Sequence, residues 1–269
     1  MPNTAYLMEN DAESIRMEVK TKTDVIEKQA RWSGILPGMR IADIGCGPGK
    51  TTSILHQMVQ PGGQTIGVDF SKDRIDHAQK RYTKKGISFY RMNIHDDMSV
   101  LGKFDLIWVR FILEYHRTQS FEIVRRLTGM LHPEGILCLI DLDQNCLNHY
   151  DAPPRLSATL NGLINHLAKH HDFDPQVGRK LYSYLYDLHF TNIDVRLDPH
   201  HLIFGKINDI DYFNWKKKVL VAGKRSGFDF SAYGGDFDAF YKEFDSFFKD
   251  PRRFTYTPVI CCRGRKPAE

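Results

Sequence analysis

The sequence predicts an α/β fold: a doubly wound sheet, mostly parallel with a final antiparallel strand, with a helical N-terminal segment and a helical insertion near the end. Three observations carry this expectation. Short apolar segments alternate with helical periodicities from residue 40 to about 143. A glycine-rich turn, Gly45-Cys46-Gly47-Pro48-Gly49, follows the first apolar segment and opens a helix. An acidic residue, Asp69, closes the next apolar segment. Strands that alternate with helices need crossover connections, which make the sheet parallel and the crossovers right-handed.

Taken in order, the chain before about residue 36 reads as helical, with Ile15, Val19, Val25 and Ile26 as its apolar positions. Arg40–Ile44, Thr65–Asp69, Ile87–Tyr90, Phe104–Val109 and Ile136–Asp141 are short and mostly apolar or β-prone, as buried strands are. Between them, Ile54, Leu55 and Met58 share a helix face, as do Ile75, Ala78 and Tyr82. Ile123, Val124, Leu127, Met130 and Leu131 form the best-defined stripe. Pro61-Gly62-Gly63 and His132-Pro133-Glu134-Gly135 punctuate returns from helix to strand. Beyond the fifth strand, Leu160, Leu163, Ile164 and Leu167 mark one helix and Gly178–Leu188 another. Ile193–Leu197 and Thr257–Arg263 read as the last two strands. The segment 205–250 is dense in aromatic residues and reads as a helical insertion, most of its rings core and some lining a substrate pocket. The expected organisation is therefore an N-terminal helical lid (1–36), a ligand-binding core (37–204 and 251–269) and an aromatic-rich substrate cap (205–250).

Composition narrows the class. The chain has 269 residues, 42% hydrophobic and 26% charged, as soluble globular proteins do. Its net charge is +4, from 37 basic and 33 acidic residues, and the basic side chains are scattered. The longest clusters are Lys216-Lys217-Lys218 and Arg263-Gly264-Arg265-Lys266, which is not the concentrated stripe of a nucleic-acid binder. Residues 1–20 are polar and acidic where a signal peptide would be apolar. No stretch reaches the ~20 apolar residues of a membrane helix. Five cysteines without CxxC spacing suit reduced thiols, so the expected compartment is the cytoplasm.

The turn after the first strand carries the chemistry. Glycine is needed where the backbone takes positive φ or where a ligand approaches the main chain closely. The helix behind the turn offers unpaired N–H groups to an electron-rich ligand. A phosphate-binding loop needs a glycine, four residues, then Gly-Lys-Thr. Gly49-Lys50-Thr51 ends that way, but Ile44 stands at the opening position. A nicotinamide-dinucleotide fingerprint needs G-x-G-x-x-G, and the spacing here is G-x-G-x-G. An acidic residue before G-x-G-x-G is what adenosylmethionine enzymes show. Asp69, twenty positions after Gly49, can accept both hydroxyls of an adenosine ribose, a feature shared with NAD sites.

From residue 39 to about 143 the sequence resembles the class I S-adenosylmethionine-dependent methyltransferases, closest to the broad group that includes ubiquinone and menaquinone biosynthesis methyltransferases. The resemblance rests on Ala42–Gly49, Gly67–Ser71, Phe104–Ile107 with Arg110–His116, and Leu131–Gly135. It implies a Rossmann-like sheet and S-adenosylmethionine as cofactor. Gly45, Cys46, Gly47 and Gly49 would then lie against the methionine part, with Asp43 beneath. Asp69 would hold the ribose and Phe70 would pack on the adenine. Asn93 and Ile94 stand where the family contacts the adenine amino group and a ring nitrogen. Asn93 departs from the usual Asp, and Asp96 is the alternative. Arg110 would offer its backbone carbonyl to the cofactor's amino group. Tyr6 and Arg16, in the N-terminal helix, are candidates for the methionine carboxylate.

Methyl transfer from a sulfonium is an in-line displacement that neutralises charge, so alignment and water exclusion matter more than specialised side chains. A general base is needed only for a hydroxyl or thiol acceptor near neutral pH. Tyr115 and His116 are the first candidates and His95 the second. His166 and His170 share a helix face, but the metalloprotease motif would need Glu at position 167, which is Leu, so no metal is expected. The motifs of DNA base methylation are absent as well. The expected function is methyl transfer to a small, aromatic or lipid-like acceptor. A tRNA or rRNA methyltransferase, a non-catalytic adenosylmethionine-binding protein and an NAD-dependent oxidoreductase are the alternatives.

Overall fold

A computed structural model describes residues 21–268. Its elements are α1 (Thr23–Ser33), β1 (Arg40–Ile44), α2 (Lys50–Met58), β2 (Gln64–Asp69), α3 (Lys72–Tyr82), β3 (Ile87–Arg91), β4 (Phe104–Arg110), α4 (Ser120–Thr128), β5 (Leu131–Leu142), β6 (His149–Tyr150), α5 (Pro154–His170), α6 (Leu181–Asp187), β7 (Thr191–Phe204), α7 (Asp209–Arg225), α8 (Phe237–Lys249) and β8 (Phe254–Arg265). The sheet runs β3-β2-β1-β4-β5-β8, with β7 and the short β6 also paired to β8. β1 to β5 are parallel, and β8 is antiparallel to β5 and β7. This is the Rossmann-like sheet with an antiparallel strand that the sequence predicts. Tyr6, Arg16 and most of the expected N-terminal lid lie outside the described residues; α1 is the part of it that is described.

Alternation along the central strands builds two cores. On one face Ala42, Ile44, Ile107, Val109, Leu137 and Leu139 pack with α4 and α6. On the other, Ile41, Leu106, Trp108, Cys138 and Ile140 pack with α1 and α2. Strands buried on both faces are nearly continuous apolar runs, which is why they were legible. The expected helix over Gly178–Leu188 begins as a 3₁₀ turn, Val177–Lys180, before α6.

The last two strands are longer than their apolar cores predict. β7 has fourteen residues and is mostly exposed, so alternation is a weak signal there. It carries two register shifts, between Thr191 and Asp194 and between Pro199 and His201. At the second, Pro199 and His201 oppose consecutive residues of β8, which makes His200 the extra residue of a bulge.

The 205–250 segment is helical, as expected, but its rings face one another. Trp215, Phe230, Tyr233, Phe240, Phe244, Phe247 and Phe248 form a separate core with Leu156 and Leu160 of α5.

Candidate active site

One cavity of about 530 Å³ opens at the carboxyl ends of β1, β2 and β4. The strand order reverses between β1 and β4, and a doubly wound sheet leaves a crevice at that point. The cavity has two halves.

The first half is built on main chain. Gly45 and Cys46 both donate their N–H to Val68 O, at 2.7 and 2.9 Å, and so tie the turn to β2. Gly47 N donates to Asp69 Oδ2 at 3.0 Å, and Ser71 N to Oδ1 at 2.9 Å. The Asp69 carboxylate is thus locked where it lines the cavity, with Arg74 Nη1 3.6 Å away. Gly45 has φ +76°, and a Cβ there would stand 2.0 Å from Ile112 Cδ1. Gly47 and Gly49 do not line the cavity. A Cβ at Gly49, which precedes α2 at φ +92°, would meet Ala78 Cβ at 2.8 Å, so this glycine lets α2 approach α3.

Asp43 lies beneath, buried, and accepts from the Thr52 hydroxyl at 2.6 Å. Burial raises its pKa to about 7, while Thr52 and then Arg110 pull it down. Arg110 closes β4. Its Nε donates to Gln29 Oε1 at 3.2 Å, and its guanidinium lies 3.9 Å from the Phe111 ring centre. Burial lowers that guanidinium to about 10, still charged at neutral pH. The sequence reading used only the Arg110 carbonyl and missed this side chain. Its signal was a cation closing the apolar run Phe104–Val109.

Phe70 is exposed, with the Arg74 guanidinium 5.0 Å from its ring centre. Asn93 and Ile94 line the cavity beside it. Asn93 Oδ1 accepts from His95 N at 3.0 Å, so its carboxamide turns its NH₂ donor outward from that bond. No described residue accepts from the Ile94 N–H. Asp96, the alternative, accepts from Asn93 N at 2.9 Å and does not line the cavity.

The second half is built on side chains from distant segments: Glu114, Tyr115, His116, Leu142, Cys146, Ile164, Leu167, His171, Phe173, His200, Lys218 and Ala222. Tyr115 and His116, predicted as candidates, are both here, and His95 meets His116 edge-on with ring centres 5.0 Å apart. Burial, and then His95, lower the His116 pKa to about 4, leaving a neutral imidazole. Behind them lie two buried acids. Burial and then the Glu114 charge raise the Asp141 pKa, although the N–H groups of Leu113, Glu114 and Leu142 bind its oxygens.

The expectation that some rings of 205–250 line the pocket is corrected: none does, because that segment spends them on its own core. The cap reaches the cavity through Lys218 and Ala222 of α7 instead. The phenyl and phenol rings that line it are Phe70, Phe111, Tyr115 and Phe173. His166 and His171 both contact the carbonyl oxygen of Ser226, at 2.8 and 2.9 Å. Glu114, His171, His200 and Lys218 were not predicted, since nothing in local spacing joins residues so far apart.

The chain matches the methyltransferase-domain family over residues 35–188, more than half its length, and belongs to that family. Its relatives include the ubiquinone biosynthesis O-methyltransferase of Nitrobacter winogradskyi, 32% identical over 120 residues, 44% of each protein. The demethylmenaquinone methyltransferase of Lactococcus lactis is 29% identical over 126 residues, 46% of this chain and 50% of that protein. The chain thus matches half or less of the length of these relatives. Among solved structures, the YcgJ protein of Bacillus subtilis aligns with TM-score 0.59 at 16% identity, covering 91% of this chain and 99% of that one. The Haemonchus contortus phosphoethanolamine N-methyltransferase 2, in complex with S-adenosyl-L-methionine, aligns with TM-score 0.54 at 16% identity over 91% and 52%. At these identities the likeness shows the fold.

S-adenosylmethionine is the cofactor of this family, and the donor set of the first half fits it. Asp69 is a fixed acceptor for a diol, and the Ile94 N–H is an available donor near an exposed aromatic face, Phe70.

Proposed function

We propose that this protein is an S-adenosylmethionine-dependent methyltransferase that methylates a small acceptor held in the second half of the cavity. The observation that carries the reading is continuity: the cofactor donor set and a wall that includes Phe111, Tyr115, Phe173, Leu142, Ile164 and Leu167 enclose a single volume of about 530 Å³. Relatives named for ubiquinone and menaquinone methylation support an aromatic or lipid-like acceptor. The cofactor-binding residues we propose are Asp43, Gly45, Cys46, Asp69, Phe70, Asn93, Ile94 and Arg110, with Gly47 and Gly49 shaping the turn.

The cofactor, when bound, supplies an electrophilic methyl on a sulfonium. The protein's own task is to align the acceptor and exclude water, which Ile164, Leu167, Leu142 and Phe173 do by surrounding it with apolar surface. For a hydroxyl or thiol acceptor, the neutral His116 ring takes the proton, with Tyr115 beside it. Five free thiols suit a reducing compartment, and we propose the cytoplasm. Among the described residues, no helix is long and apolar enough to cross a membrane.

Thermal denaturation tests the reading. S-adenosylhomocysteine should raise the melting temperature while NAD and ATP do not. Asp69→Ala should abolish that rise with the fold retained, as checked by circular dichroism. A normal rise in the variant would overturn the proposed ribose contact.

A further inference from the structure

The basic run Lys216-Lys217-Lys218 lies on α7, the helix that brings the cap to the cavity. A helix turns ~100° per residue, so three consecutive lysines point three ways. Lys216 Nζ lies 5.5 Å from the Tyr212 ring centre, and Lys217 Nζ 5.9 Å from that of Phe213. Lys218 is the one of the three that lines the cavity. Its ammonium donates to Asn145 Oδ1 at 2.7 Å, and it forms no ion pair with any described carboxylate. The ammonium also lies 5.4 Å from the Trp215 ring centre, and two of its three N–H donors have no hydrogen-bond acceptor among the described residues.

The ammonium is held in place deliberately. Asn145 is buried, and its Nδ2 donates to Glu114 Oε2 at 2.6 Å. A carboxylate only accepts and an ammonium only donates, so the amide can sit one way round. The residues on either side of Asn145, Gln144 at φ +52° and Cys146 at φ +68°, are both left-handed without being glycine. Such strain persists where the surroundings over-determine it, commonly at ligand sites. Burial lowers the His149 pKa to about 4, against a hydrogen bond to the Cys146 carbonyl that raises it, with smaller lowering by Arg253 and Lys218.

Resting on the methyltransferase reading, we propose that Lys218 is the anion anchor of the acceptor subsite and that the acceptor carries a carboxylate. Its apolar body lies on Ile164, Leu167 and Phe173. Two donors of the ammonium can meet the two oxygens of one carboxylate, whereas a phosphate dianion would bring a second negative charge beside the Glu114 carboxylate that shares Asn145. Lys218 lies beyond residues 35–188, so family membership carries no expectation for it.

The test is calorimetric titration of the protein saturated with S-adenosylhomocysteine. The probes are 3-phenylpropanoate and its neutral isostere 3-phenylpropanamide. The carboxylate should bind at least about tenfold more tightly than the amide. Lys218→Met and Lys218→Gln should erase that preference while S-adenosylhomocysteine affinity stays unchanged, and Lys217→Met should keep it. Equal affinities in the parent protein, no binding of either probe, or a preference that survives both Lys218 variants would overturn the anchor. Failure of the parent to bind S-adenosylhomocysteine would instead overturn the cofactor reading.

Discussion

The two halves of the cavity are built by different means. The half proposed for the cofactor takes its residues from the ends of adjacent strands and is shaped by backbone: the N–H groups of Gly45 and Cys46 tie the turn to Val68 O, and those of Gly47 and Ser71 fix the Asp69 carboxylate. Its positive φ angles fall on glycines. The half proposed for the acceptor gathers Glu114, Cys146, His171, His200 and Lys218 from five segments and is lined by side chains. Around it, positive φ falls on Phe111, Gln144, Cys146 and Asp172, none of them glycine. A half that must serve one cofactor can be written into a short turn. A half that must fit a particular acceptor is assembled from whatever the rest of the chain brings to the rim, and it stores strain in doing so.

The largest separation of the halves is expected at His116. On a hydroxyl acceptor, His116→Ala should lower kcat by on the order of 10²-fold or more with S-adenosylhomocysteine affinity unchanged, measured by steady-state kinetics and titration. With a pKa held to about 4, the imidazole stays unprotonated down to that pH, so it should impose no acid limb near pH 6. Gly45→Ala should do the reverse. A Cβ at φ +76° and 2.0 Å from Ile112 Cδ1 should weaken S-adenosylhomocysteine on the order of 10- to 100-fold in a titration.

Asp43 offers a smaller effect with a definite sign. Its pKa is raised from 3.8 to about 7, so the folded protein holds this proton more tightly than the unfolded chain. Its stabilising contribution is complete below about pH 4 and is lost as pH rises through 7. Asp43→Asn does not titrate. Its stability relative to the parent should therefore rise by roughly 2–3 kcal/mol between pH 5 and 8 in denaturant unfolding. A constant difference would mean that Arg110 already holds the carboxylate ionised. The smallest effect is strain relief: Gln144→Gly should raise stability by about 1 kcal/mol, or ~2 °C in melting temperature.

The same contrast explains what the sequence disclosed. β1, β2, β4 and β5 were legible because both faces are buried, and the proposed cofactor half because its residues fall in short motifs at the ends of successive strands. The twelve rings of 205–250 signalled a core, which they form, but the minority expected to line the pocket do not, since ring density does not say which way a ring faces. Lys218 was visible only as one of three lysines, because choosing among them requires the helix phase against the cavity. Arg110 was recognised for its carbonyl alone; that its side chain turns toward Gln29, eighty-one positions away, is tertiary information.

The bulge at His200 also bears on solubility. β7 pairs on one side only among the described residues and exposes Val195, Leu197, Leu202 and Phe204, which is the profile of an edge that recruits other chains. The extra residue and its neighbour Pro199 break the regular ladder along that edge, while His200 itself reaches the cavity. Deleting His200 would join Pro199 and His201, which already oppose consecutive residues of β8, and so restore an uninterrupted ribbon along that edge. Light scattering on warming should then report aggregation well before the parent, so one inserted residue lines the cavity on its inner side and interrupts the edge on its outer.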